Sequence, residues 1–185
     1  MKYCSSVFLI SILFLCCLQI SDADSSFRHF EVYKVPEVGL IVYKPGTPEW
    51  EINVDERAGD DVVLLASPQK YFPPTSIEIR LNQQHDIARD DLEEFALVVA
   101  DALRKKTNSP TLDNSRLQQI QYGKIAAFKN EFDITHQNRD LTIRHIIGRM
   151  PSGHIVTMMA TTPINQIDAV EFMLSKIYSN LTEIN

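Results

Sequence analysis

The amino-acid sequence predicts an α+β domain in which an antiparallel β-sheet is flanked by helices. β-rich runs come in two consecutive groups instead of alternating one by one with helices. One amphipathic helix follows each group, and glycine or proline turn signals separate many of the runs. Consecutive strands that are joined by short turns pair in opposite directions, so we expect an antiparallel sheet.

The first 23 residues have the pattern of a secretory signal peptide. Lys2 precedes an apolar stretch of 12 residues from Val7 to Leu18, and small residues stand at Ser21 and Ala23. The stretch is shorter than the roughly 20 residues of a membrane-spanning helix. We therefore expect cleavage after Ala23 and export to the periplasm or the cell exterior. Residues 24–185 are then expected to form a single domain.

All three cysteines, Cys4, Cys16 and Cys17, lie in this predicted signal. Lipid attachment at Cys16 or Cys17 is the less favoured alternative, because neither follows the small residue that bacterial lipid-attachment signals prefer before the modified thiol. Cleavage would leave a domain without cysteine, which excludes disulfides, thiolate metal ligands and a cysteine nucleophile. A chain of 162 residues is long enough to form a core without cross-links.

The first group contains four expected strands and ends in a helix. The strands are the β-rich runs 39–44, 49–54, 61–66 and 75–81. The helix is expected within residues 89–106, where Asp90 and Glu93 resemble a capping pair. Its apolar positions recur at spacings of three and four and form one stripe, which a sheet or another helix must cover: Leu92, Phe95, Ala96, Val99 and Leu103.

The second group contains three expected strands, 124–134, 141–150 and 154–162, and a final helix within residues 165–181. Pro163 ends the last strand. The apolar stripe of the final helix has the same spacing as that of the first: Val170, Met173, Leu174, Ile177 and Leu181.

Pro151, Ser152 and Gly153 predict a hairpin turn, with two registers open. In a type I turn with Gly153 in the left-handed position, Met150 pairs with His154, and His145 and His154 lie on opposite faces of the sheet. In a two-residue loop they share a face but lie roughly 20 Å apart. Neither register lets both histidines bind one metal ion, so we expect a structural hairpin, no metal site and no cofactor.

The formal net charge of −6 does not favour nucleic-acid binding. The one dense basic cluster, Arg104, Lys105 and Lys106, lies at the end of the first expected helix, where the helix dipole favours cations. Contact with an anionic lipid surface is the alternative role for these three residues.

Motifs of catalysis are absent from the sequence. It has no G-x-S-x-G nucleophile elbow, no H-E-x-x-H zinc motif, no phosphate-binding loop and no dinucleotide fingerprint. We therefore expect a binding domain with no catalytic residues. The rival hypothesis is a small metal-dependent or hydrolytic enzyme that uses His136, Asp140 and His145, which lie near one another around a strand start.

Tyr71 and Phe72 precede two prolines, where the chain is extended and no helix forms. Aromatic residues in such a loop either fold back to cap the core or are displayed to a partner. Capping is the favoured interpretation, and both residues are retained as candidate partner-binding residues.

The order of these segments resembles the PsbP-like superfamily, which includes PsbP and the DcrB-like exported domains. The resemblance lies in "GLIVYKPGTPEW", "SIEIRL", "LEEFALVVADAL", "YGKIAAFKNEFDI", "RHIIGRMPSGHIVTMMATTP" and "AVEFMLSKIYSNL". It implies an α/β/α sandwich and a binding or assembly factor without a shared active site. We expect an exported, non-enzymatic domain that recognises a partner, preferably a protein.

Overall fold

The computed structural model describes residues 29–57, 60–82, 91–107, 109 and 117–184. The predicted signal peptide and Asp90 of the predicted cap lie outside these residues. Within them, no helix combines the length and the apolar character needed to cross a membrane.

Among the described residues, seven strands form a large antiparallel sheet. Its spatial order is β3-β4-β5-β9-β8-β7-β6. The strands are β3 (Glu51–Arg57), β4 (Asp60–Ala66), β5 (Ser76–Asn82), β6 (Gln118–Tyr122), β7 (Ile125–His136), β8 (Arg139–Arg149) and β9 (Ile155–Pro163).

A small sheet in the described part contains three strands in the order β1-β2-β10. These are β1 (Phe30–Val35), β2 (Leu40–Pro45) and β10 (Thr182–Glu183). Helix α1 (Leu92–Thr107) follows β5, and a 3₁₀ turn (Ile167–Val170) leads from β9 into helix α2 (Glu171–Ser179). The fold is therefore α+β with antiparallel sheets, as predicted.

The main core lies between one face of the large sheet and a layer made of the small sheet and α2. Side chains of all three elements form one buried cluster, for example Val42 from β2, Ile146 from β8 and Met173 from α2. All five residues of the second predicted stripe are buried: Val170, Met173, Leu174, Ile177 and Leu181. Burial of this continuous apolar surface is the main free energy that holds the layers together.

Helix α1 covers the opposite face of the large sheet. Leu92 and Ala96 are buried against Ile147 of β8 and Ile155 of β9, with Phe95 and Val99 packed around them. The predicted stripe of α1 therefore faces the sheet. The result is a helix on one side of the large sheet and a mixed helix-and-sheet layer on the other.

The predicted final helix is shorter than its apolar pattern suggests. Its first turn is 3₁₀ at Ile167–Val170, and Gln166 provides no side-chain cap. Asp168, the second residue of this turn, binds Arg144 through its carboxylate. The helix ends at Ser179, since Leu181 leads directly into β10, which pairs with β2.

Candidate functional site

A groove of about 850 Å³ opens between the small sheet and one end of the large sheet. Its floor is apolar and consists of Val32 from β1 with Ile41 and Tyr43 from β2. Its walls are the β6–β7 turn, the β8–β9 turn and the junction between α2 and β10, residues 123–125, 150–152 and 179–183. An apolar concavity with a few polar groups at its rim is the usual form of a binding site.

The floor of the groove follows from the alternation of side chains in β2. Leu40 and Val42 are buried in the main core, whereas Ile41 and Tyr43 point to the other face and are partly exposed. Val32 lies opposite Tyr43 in the register and is 58% exposed. The small sheet therefore has an apolar core face and an apolar groove face.

Gly123 allows one wall of the groove to form. Its φ is +56°, a left-handed conformation that L side chains rarely adopt, and a Cβ there would lie 2.6 Å from the carbonyl oxygen of Ser179. Glycine thus lets the β6–β7 turn contact the C-terminal end of α2. A side chain at this position would separate the two segments.

The β8–β9 hairpin forms another wall and has the first of the two predicted registers. Arg149 pairs with Ile155, the Gly153 N–H donates to the Met150 carbonyl at 2.9 Å, and Gly153 has φ +104°. His145 pairs with Met159 and lies on the face opposite His154. Of the two registers that the sequence left open, the structure has the one with Gly153 in the left-handed region, and in it the two histidines cannot share a metal ion.

His154 links this hairpin to the small sheet. Its Nδ1 lies 2.5 Å from Oε1 of Glu183 in β10. The pair is partly exposed, so its direct contribution to stability is modest. Its position is more informative, because it holds two walls of the groove together.

Ser152, His154 and Glu183 have the residue types of a hydrolytic triad but not its geometry. Ser152 Oγ lies 3.3 Å from His154 Nδ1, the same nitrogen that contacts Glu183. In a Ser-His-acid triad the serine and the acid use different ring nitrogens, so that the histidine can take the serine proton while the acid orients it. The arrangement here does not activate Ser152.

A buried arginine lies near the other end of the main core. Arg144 of β8 is 1% exposed, and its guanidinium contacts three carboxylates. Nε donates to Glu131 of β7 at 2.7 Å, Nη2 donates to Asp168 at 2.8 Å, and Nη1 donates to Glu171. Burial by itself lowers the Arg144 pKa, but these acidic partners raise it above its usual value. Arg144 therefore remains charged and ties the start of α2 to the large sheet.

A smaller groove of about 380 Å³ lies beside this ion-pair cluster, lined in part by Glu131, Asp133 and Asp168. These carboxylates already have partners: Glu131 and Asp168 bind Arg144, and Asp133 accepts from the Thr142 hydroxyl at 2.7 Å. Among the described residues, no group of three or more His, Cys, Asp or Glu side chains could hold a metal ion.

The three residues of the rival enzyme hypothesis are not brought together. The β7–β8 register pairs His136 with Arg139 and His145 with Asn130, six positions away along β7, or roughly 20 Å. Asp140 accepts a hydrogen bond from the Thr135 hydroxyl at 2.7 Å. His145 is 7% exposed, and burial lowers its pKa to about 4, so its ring is neutral near pH 7.

Tyr71 and Phe72 separate into two different environments. Tyr71 packs edge-on against the buried Trp50, with ring centroids 5.5 Å apart, and burial raises the Tyr71 pKa to about 12. Phe72 is 76% exposed. Tyr71 thus adopts the capping position and Phe72 the displayed one, and neither lines the large groove.

The basic cluster at the end of α1 does not form one cationic patch. Arg104 packs over the Phe132 ring and donates to Asn130 Oδ1 at 2.6 Å, whereas Lys105 is exposed and pairs with Asp101 at 2.6 Å. Lys106 is exposed. Arg104 therefore lies between α1 and the large sheet, while the two lysines face solvent.

No sequence pattern singles out the residues of the large groove. Val32 belongs to β1, and Thr182 and Glu183 belong to β10, and neither strand is among the predicted elements. The one local signal was the glycine turn at Gly153, which predicted the hairpin but not what it packs against. The groove depends on pairing between the two ends of the described chain.

The fold has relatives among solved structures, although no protein-family model and no curated protein matches the chain in sequence. The Ran-binding protein Mog1p of Saccharomyces cerevisiae superposes with a TM-score of 0.60 at 12% identity, over 85% of this chain and 96% of its own. A protein of Bacteroides thetaiotaomicron superposes with a TM-score of 0.56 at 11% identity over 83% of this chain. The match covers only 48% of that protein. LpqN, a Mycobacterium tuberculosis protein involved in cell envelope biogenesis, gives 0.48 at 14% identity over 89% of this chain and 98% of its own. The similarity to these structures is in the fold alone, and it agrees with the resemblance in the order of the elements.

Proposed function

We propose that this chain is an exported, non-enzymatic domain that binds a protein partner through the large groove. The apolar floor of the groove carries the proposal, because Val32, Ile41 and Tyr43 form an exposed apolar surface that a partner side chain would remove from water. The fold shared with a Ran-binding protein supports a protein as the partner. The Ser152–His154–Glu183 geometry gives no support to a hydrolase.

Export is part of this proposal and rests on the signal-like residues 1–23. The acidic net charge and the separation of Arg104 from Lys105 and Lys106 give little support to an anionic membrane surface as the principal partner. Phe72 is a candidate second contact, because an exposed aromatic ring is a common anchor in protein interfaces.

The test is affinity capture with the tagged full-length chain, expressed in its own cells, followed by measurement of the affinity of the captured protein. Tyr43→Ala removes the aromatic part of the groove floor and should weaken binding at least about tenfold. Phe172→Ala is the matched control, because Phe172 is 47% exposed on α2 and does not line the groove. The control should bind as the unchanged protein does.

Equal affinity of the Tyr43→Ala variant and the unchanged protein would exclude the groove as the binding surface. A stoichiometric metal ion in the purified protein, without a captured protein, would instead favour the metal-dependent enzyme.

A further inference from the structure

We propose that the partner binds by strand addition: an extended peptide that carries an apolar and an acidic residue two positions apart, and therefore on one face, pairs with the edge of β1. This inference rests on the proposed function, because it names the class of partner that occupies the groove. Strand addition obtains affinity from main-chain hydrogen bonds and specificity from alternate side chains.

The edge of β1 offers backbone groups for such pairing. In the described part of the chain, β1 pairs with β2 alone and forms one edge of the small sheet. The His29 carbonyl accepts from the Gly46 N–H at 2.9 Å, so these two residues form a hydrogen-bonded pair. In an antiparallel ladder, hydrogen-bonded and non-hydrogen-bonded pairs alternate. Counted along the β1–β2 register, Val32 and Lys34 belong to non-hydrogen-bonded pairs. Their N–H and C=O groups therefore point away from β2.

The side chains at this edge indicate the chemistry of the peptide. Val32 and Lys34 are exposed and lie on the groove face, and Val32 lines the groove itself. Lys124 lies on the opposite wall. Both lysines are exposed, and neither forms an ion pair with another described residue. An apolar residue against Val32 and an acidic residue near Lys34 would complement the surface.

The two edges of the large sheet fit this peptide less well. β3 carries Glu51 and Asp55, which would repel an acidic strand. β6 presents Gln119 and Gln121 as exposed side chains and offers no apolar contact or positive charge. β1 combines a free edge, an exposed apolar side chain and a positive charge beside the groove.

The experiment uses the purified protein and a capped synthetic peptide as long as β1, with valine and glutamate two positions apart and threonine at the positions between and beside them. Amide hydrogen exchange is followed by NMR with and without the peptide. The N–H groups of Val32 and Lys34 point to solvent in the free protein and should exchange at least about tenfold more slowly in the complex. The same peptide with N-methyl groups on the alternate amides that would face β1 should give no protection, because it lacks the N–H donors that pair with β1.

A proline substitution tests the edge directly. Val32→Pro removes an outward N–H at a position where an edge strand accepts proline, and it should weaken peptide binding at least about tenfold. Gln119→Pro is the matched control, because the two-residue turn after Tyr122 points the Gln119 N–H away from β7. The control should retain full binding. If Val32→Pro does not fold, the N-methylated peptide provides the same comparison on the unchanged protein.

Protection of Val32 and Lys34 in the unchanged protein and in Gln119→Pro, together with loss of the Lys34 protection in Val32→Pro, would support strand addition. Absence of protection at millimolar peptide, or protection at β6 instead, would overturn it. A captured protein whose binding still depends on Tyr43 would then leave the groove as the binding surface, so the two proposals fail separately.

Discussion

Single residues in this protein are constrained by the layer in which they lie. Gly148 of β8 is an example, since a Cβ there would lie 2.6 Å from Ile125 Cγ2 and 2.7 Å from the hydroxyl of the fully buried Tyr178. The apolar pattern of α2 predicts that Tyr178 lies on the helix, but it does not reveal that its hydroxyl reaches Gly148. Such a contact joins positions 30 residues apart and leaves no local trace in the sequence.

His145 makes stability depend on pH. Burial lowers its pKa from the ordinary 6.5 to about 4, so the unfolded state binds the proton first as the pH falls. The stability that the neutral, buried His145 ring contributes is fully present above pH 6.5 and is lost progressively between pH 6.5 and 4. We expect the free energy of unfolding to fall by up to about 3 kcal/mol from this residue over that range.

Urea unfolding of the protein and of His145→Gln at several pH values measures this effect. The carboxylates titrate in both proteins. The difference between the two plots of unfolding free energy against pH therefore reports the effect of the histidine alone. Parallel curves from pH 7 to 4 would contradict a neutral, buried His145.

At the scale of elements, sequence pattern predicted both helices and most strands of the described residues, but it missed β1, β6 and β10. The stripes of α1 and α2 and the strand runs 124–134, 141–150 and 154–162 have strong local periodicity. β6 is mostly glutamine, which has little β-propensity, and β10 has two residues. β10 exists because β2 lies next to it, which is a tertiary effect.

The ion pairs of Arg144 are the main polar link between α2 and the large sheet. Arg144→Met keeps much of the apolar stem but removes the charge that holds Glu131, Asp168 and Glu171 together. We expect a loss of about 2 kcal/mol in the free energy of unfolding, less than for a fully buried pair, because the carboxylates regain contact with water.

Denaturant unfolding measures this loss, and Lys105→Ala is the control. That change breaks the exposed pair with Asp101 and should cost less than about 1 kcal/mol. If the two variants lost equal stability, the Arg144 cluster would be no more important than a surface ion pair.

For the whole molecule, the sequence predicted the antiparallel α+β class but not the groove. Fold class follows from the order and period of apolar residues, which are local properties. The groove forms where β1, the hairpin at Gly153 and the end of α2 meet, and their relative positions follow from packing. The net charge made a basic nucleic-acid surface an unfavoured prediction, but it could not place Lys124 in the lining of the groove.

Export predicts a domain without cross-links. The proposed cleavage after Ala23 would give a protein that begins at Asp24. Because all three cysteines lie in residues 1–23, that protein would contain no thiol. We expect the midpoint of thermal unfolding to be unchanged by dithiothreitol, and mass spectrometry of the N-terminus to give Asp24. An N-terminus at Cys16 or Cys17 carrying lipid would establish a lipoprotein instead.

The pairing of β10 with β2 joins strands separated by most of the sequence, Thr182 with Ile41 and Glu183 with Leu40. A chain is synthesised from its N-terminus, so β10 is made after every other strand of the described residues. The groove is complete only when β10 has paired, because its wall includes Thr182 and Glu183. A nascent chain that stops before Thr182 would therefore lack part of the proposed binding surface.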